Sequence, residues 1–188
     1  ILMDKIFTKN IEHESAVKHV TGKAIYTDDI SEPKNLLHAV IGYSNCSKGV
    51  IKKIDYKDVL SSEGVVDIIT EKDIEGINDV GPIFKGDKIF TSKNIEYYGQ
   101  PIFAVIAKTN NLAKKAALKV KIDLKISKPI VSIEEALKKK SFVLKPKYLT
   151  RGNIKDGFKR SDNFLKGKLY SGGQDHFYLE GQIAMTIP

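Results

Sequence analysis

A single cysteine, Cys46, excludes a disulfide within the chain and any cysteine-rich zinc or iron-sulfur site, and makes a reducing, cytoplasmic compartment the simplest expectation. Arginine is nearly as scarce. Arg151 and Arg160 stand beside 29 lysines, and arginine is the residue that reads phosphate or guanine through paired hydrogen bonds. A solvated lysine surface is therefore expected, with no nucleic-acid partner. Long apolar runs are missing too: the best, Ile102 to Ala107, is bounded by Pro101 and Lys108 and is far short of the roughly 18 residues of a membrane span. No membrane crossing is expected. The opening Ile1-Leu2-Met3-Asp4-Lys5 has no basic region followed by an apolar stretch, so no signal peptide is expected, and without methionine at position 1 the true start of the polypeptide stays open. Standard catalytic motifs are absent as well. There is no phosphate loop, dinucleotide fingerprint, nucleophile elbow or His-Glu-x-x-His helix.

What is present suits a globular fold: 188 residues, 41% hydrophobic and 29% charged. The net charge of +8 is uneven, because residues 1–100 carry 13 lysines against 16 acids and residues 101–188 carry 18 basic residues against 7 acids. In the second half many lysines alternate with apolar residues, as in Val120-Lys121-Ile122-Asp123-Leu124-Lys125-Ile126, the pattern of a strand with one wet face. Strands are also expected at Leu36 to Tyr43, Gly49 to Ile54, Val65 to Ile69 and Pro101 to Ala107. Between them, Asp55 is a candidate N-cap for a helix ending near Gly64, and Thr70 with Asp73 caps a further turn. Gly76 to Lys88 reads as a loop. Residues 109–119 place Leu112, Ala113, Ala116, Ala117 and Val120 on one helical stripe. Ser132-Ile133-Glu134-Glu135 spells a capping box, with the Glu135 carboxylate reaching back, for a helix to about Lys139. The repeated order strand, helix, strand predicts a mixed α+β fold.

From Lys140 to Lys159 the chain turns lysine-rich and irregular, which predicts a connection between two units. A strand-like Asn163 to Tyr170, a glycine pair and an apolar run from Ile183 to Ile187 follow. This second piece is too short to bury a core of its own. The histidines His13, His19, His38 and His176 are scattered. His38, inside an apolar strand, reads as structural, and Cys46 has no activating context for a nucleophile. The segment that stands out is Ser171-Gly172-Gly173-Gln174-Asp175-His176-Phe177-Tyr178-Leu179-Glu180. Two glycines let backbone approach a ligand closely, and the Gln174 amide offers one donor and one acceptor group without charge.

Gly172 to Glu180 resembles the segment that opens the molybdenum-binding domain of xanthine dehydrogenases and aldehyde oxidases. Val20-Thr21-Gly22-Lys23-Ala24-Ile25-Tyr26-Thr27-Asp28-Asp29 resembles the start of that family's α/β hammerhead domain, and Tyr98-Gly99-Gln100-Pro101 its later core. The resemblance covers nearly the whole chain, in the family's order. It implies a hammerhead domain over residues 1–145, then a linker and the first strands of an incomplete molybdopterin-binding domain over 146–188. By resemblance Gln174 hydrogen-bonds an oxo ligand of molybdenum, with Gly172 and Gly173 shaping the approach. No residue of this chain is expected to be catalytic or a metal ligand, since the family's glutamate base lies outside these residues and Glu180 reads as a structural partner. Asp175, where relatives often carry glutamate, shortens a carboxylate without changing its charge.

The activity so implied is hydroxylation of hypoxanthine or xanthine at a molybdenum-molybdopterin centre, with aldehydes as the substrates of close relatives. Electrons would leave through 2Fe-2S clusters to FAD on other domains or subunits. The implied partners are the remainder of the molybdenum-binding subunit, those redox domains, and further copies in an oligomer. The rival reading is a non-catalytic interaction module that kept the hammerhead fold.

Overall fold

A computed structural model describes residues 12–187. The opening residues weighed above for a signal sequence lie outside them. In chain order the elements are α1 (Ala16–Val20), β1 (His38–Tyr43), β2 (Gly49–Asp55), α2 (Lys57–Leu60), β3 (Val65–Ile69), β4 (Asn94–Ile95), β5 (Pro101–Ala107), α3 (Asn110–Ala117), β6 (Lys121–Ile126), α4 (Ile133–Lys138) and α5 (Ile154–Lys159). Short 3-10 turns stand at Thr27–Asp29 and Glu71–Asp73. The chain divides into two compact units: Lys34–Arg151, and residues 12–33 together with 152–187.

The Lys34–Arg151 unit carries the six strands found among the described residues, in two antiparallel sheets ordered β1-β5-β3 and β4-β2-β6. The apolar run Pro101–Ala107 becomes the central strand of the first sheet. Ile102, Phe103, Ala104 and Val105 are all buried, and because successive side chains point to opposite faces, both faces of β5 are covered. Phe103 lies directly across from Gly42 of β1. A Cβ at Gly42 would overlap the Phe103 ring, so glycine is what lets the aromatic side chain lie flat over the neighbouring strand. Tyr56 closes the other approach edge-on, with ring centroids 5.2 Å apart and planes at 70°. Burial pushes the Tyr56 hydroxyl pKa up to about 12.

Helix α3 begins at an N-cap, Thr109, whose side chain accepts the Leu112 amide at 3.2 Å. Its expected stripe is the buried one: Ala113 and Ala116 are in the core, with Leu112, Ala117 and Val120 packed against it. β6 follows its alternation as far as Lys125, while Ile126 at its end is exposed. Ile122 and Leu124 are half-buried while Lys121, Asp123 and Lys125 are exposed. Val59 of α2, Ile51 of β2 and Ile95 of β4 join Phe103 and Val105 in one cluster, so the two sheets share a core.

Several expectations shift. β1 starts at His38 rather than Leu36. The N-cap position of α2 is Tyr56, although the Asp55 carboxylate still accepts the Lys57 amide at 3.0 Å. The Ser132 hydroxyl accepts the Glu135 amide as expected, but the Glu135 carboxylate pairs with Lys139 at 2.7 Å instead of reaching back. The ion pair one helical turn away competes for it. The expected linker contains α5, started by Asn153, whose carbonyl oxygen accepts the amides of Lys155 and Asp156. Asn163 to Tyr170 forms no strand, because a strand exists only through a hydrogen-bonded neighbour and none among the described residues pairs with it.

Gly42→Ala is expected to lower stability by about 1–3 kcal/mol through overpacking against Phe103. The check is a lower urea midpoint at unchanged slope.

Candidate functional site

The Tyr98-Gly99-Gln100-Pro101 motif builds a turn rather than a ligand site. Gly99 has φ +80°, the left-handed region that favours glycine. Its amide donates to the Ser44 carbonyl at 3.0 Å, and the Ser44 amide donates to the Gln100 carbonyl at 2.9 Å. The Gln100 side chain is buried and its Oε1 accepts the Glu96 amide at 2.8 Å. An open, largely apolar groove of about 790 Å³ runs beside this turn, lined by Val40, Tyr43, Tyr98, Phe103, Leu118 and Leu124 among others. It offers packing surface and no acid-base pair.

Loop 78–90 is held by two side chains. Asn78 donates from its amide to the Phe90 carbonyl at 2.7 Å and accepts the Phe90 amide at 3.0 Å. The Asp79 carboxylate accepts the amides of Gly81 at 2.8 Å and Gly86 at 2.7 Å. These two bonds hold its pKa below the usual aspartate range. Ile83 and Phe84 are exposed at the tip.

The glycine-glutamine segment belongs to the other unit. Residues 171–179 are exposed and form no regular element. A Cβ at Gly172 or Gly173 would meet nothing within 4 Å, and Gln174 makes no hydrogen bond to a described residue. The three expected cofactor contacts are therefore contiguous, open and unpartnered. The His176 amide donates to its neighbour Asp175 at 2.7 Å, the His176 and Tyr178 rings lie 5.7 Å apart, and Phe177 takes a left-handed φ of 50°. Glu180 is half-buried, and its Oε1 accepts the Thr27 amide at 2.8 Å. One amide earlier, Tyr26 N–H donates to the Asp29 carboxylate at 3.0 Å. Two of the three segments that carry the family resemblance thus meet in space across 153 positions of sequence.

Residues 21–128, more than half of the chain, match the family model for the aldehyde oxidase and xanthine dehydrogenase α/β hammerhead domain. The chain belongs to this family. It is 36% identical to xanthine dehydrogenase of Dictyostelium discoideum over 96% of its own length and 13% of that protein. It is 37% identical to aldehyde oxidase 2 of Rattus norvegicus over 95% of its length and 13% of that protein. Among solved structures it resembles the aldehyde oxidoreductase of Desulfovibrio desulfuricans, with TM-score 0.59 and 33% identity over 68% of this chain and 15% of that one. The chain spans about 13% of the length of the curated relatives it matches.

Within this hammerhead family member, the mixed α+β fold with two small antiparallel sheets agrees with the expectation from sequence. Among the described residues no group of three or more His, Cys, Asp or Glu side chains is placed to hold a metal ion, and no helix is long and apolar enough to cross a membrane. Sequence reasoning left the Thr27 partner of Glu180 unfound. Its only signal was that both residues sit in segments resembling the same family.

Gln100→Leu keeps the volume but removes the acceptor that the buried Gln100 side chain gives the Glu96 amide, and should cost about 0.5–1.5 kcal/mol as a fall in urea midpoint. The depressed pKa of Asp79 means its carboxylate stabilises the loop above the ordinary aspartate pKa and loses that effect as pH falls through the lowered value. An NMR titration of the Asp79 carboxyl carbon should have its midpoint below the usual aspartate range.

Proposed function

We propose that these residues form part of the molybdenum-binding subunit of a xanthine dehydrogenase-like oxidoreductase that hydroxylates hypoxanthine or xanthine in the cytoplasm. The similarity to a xanthine dehydrogenase over 96% of the chain supports this reading most directly. In it, the hammerhead domain extends to about residue 145 and packs against a molybdopterin-binding domain whose first residues are 146–188. 2Fe-2S clusters and FAD on other domains or subunits carry electrons away, and the subunit assembles with further copies.

The residues of the glycine-glutamine segment suit a contact with the molybdenum centre. Gln174 has a neutral amide that is free of partners among the described residues, and the glycine pair before it leaves its surroundings open. Gln174 would donate its amide N–H to an oxygen of the cofactor, and Gly172 and Gly173 would admit the group without a side chain in the way. When bound, the molybdenum-molybdopterin group supplies the two-electron oxidation of the substrate carbon. The chain's own residues orient it and transfer no proton.

An aldehyde oxidase is the second reading, favoured by the 37% identity to aldehyde oxidase 2 of Rattus norvegicus. Substrate choice between the two depends on pocket side chains, where a few contacts decide discrimination. Both differ from a non-catalytic interaction module in requiring molybdenum. The native complex carrying this chain is expected to contain near-stoichiometric molybdenum by elemental mass spectrometry and to oxidise xanthine faster than aldehydes. Faster aldehyde turnover would favour the second reading, and a complex without molybdenum would leave only the interaction module. In the complete enzyme Gln174→Leu should lower kcat by about tenfold or more, the worth of one hydrogen bond to a charged group, with thermal unfolding unchanged. Unaltered steady-state kinetics would remove Gln174 from the site.

A further inference from the structure

From Phe158 to Leu179 every residue is exposed, and Glu180 is the first to be half-buried. Its bond to the Thr27 amide is, among the described residues, the only hydrogen bond that ties residues 171–187 to a distant part of the chain. A segment with glycine at 172, 173 and 181 has weak conformational preferences of its own. Residues 171–179 also belong to no regular element, so no helix or strand of their own fixes where they lie.

We propose that Glu180 is a positioning residue. By accepting the Thr27 N–H through Oε1 it sets where the Gly172–Gln174 segment is anchored, and so where the Gln174 amide is presented. This rests on the reading of Gln174 as a cofactor contact given above. The chemistry suits an anchor: a carboxylate acceptor makes a shorter and stronger bond to an amide than a neutral carbonyl does, and at 2.8 Å in a half-buried setting it is partly shielded from competing water. The receiving side is itself constrained, since Asp29 holds the adjacent Tyr26 amide at 3.0 Å. Consecutive amides thus point at two different carboxylates. Asp28 and Asp29 follow Thr27 in the same turn, and the contact that holds Glu180 beside them is the hydrogen bond to the Thr27 amide.

The test uses the complete enzyme, purified as its native complex, with Glu180→Ala and Glu180→Gln. In hydrogen exchange followed by mass spectrometry, Glu180→Ala should speed exchange in the peptide covering residues 24–30 by about tenfold. The neutral acceptor of Glu180→Gln should restore most of the protection, and β5 peptides should be unchanged in both. Molybdenum content should fall in Glu180→Ala and recover in Glu180→Gln. In a Gln174→Leu background, Glu180→Ala should add less than about twofold to the loss of turnover, because residues acting through one another are not additive. Unchanged exchange at 24–30 in Glu180→Ala would overturn the anchor. Faster exchange with full molybdenum content and additive kinetics would overturn its link to Gln174. Wild-type enzyme free of molybdenum would instead sink the functional reading, while the exchange result still decides whether Glu180 anchors the segment.

Discussion

The hammerhead unit depends on one contact, the ring of Phe103 lying over Gly42 on the adjacent strand. Phe103 is fully buried in the central strand, so everything that covers it must arrive from other elements: β1 beside it, Tyr56 edge-on, Val59 and the alanines of α3 in the same cluster. A side chain at position 42 would displace the ring and with it the Tyr56 contact. Close packing of this kind tolerates little change in volume, because interior side chains interlock at crystal-like density. The small residues of the core, Gly42, Ala104, Ala107, Ala113 and Ala116, are the counterpart of the fully buried Phe103 ring.

The other unit is organised on a different principle. Among its described residues none is buried, and the apolar side chains of Phe164, Leu165, Leu169 and Tyr170 are exposed. Order there comes from capping and hydrogen bonding instead: Asn153 starts α5, Asp29 holds Tyr26, and Glu180 holds Thr27. Apolar side chains left in water contribute nothing to stability until something removes them from it.

Much of the fold was legible because its signals are local. Period-two alternation marked β6, the apolar run marked β5, the apolar stripe over residues 109–119 marked α3, and Ser132 marked a helix start, each through neighbours along the chain. Where a second local partner competed, the reading slipped. Glu135 chose Lys139 over the capping position, and Asn153 started a helix inside a stretch whose lysines and glycines read as a linker. The Gly172, Gly173 and Gln174 trio was legible as a motif, and its open, unpartnered state adds the room that a ligand contact would need.

By itself the sequence determined the mixed α+β pattern, the membership of the hammerhead family and the residues worth watching, since propensity, periodicity and motif spelling are properties of neighbours along the chain. Only the tertiary structure decided that Gly42 exists for Phe103, that Gln100 is a buried acceptor within its own turn, and that Glu180 meets Thr27. These are contacts between side chains or amides whose pairing depends on how elements pack. No spacing in the sequence encodes which of many carboxylates will reach a given amide 153 residues away.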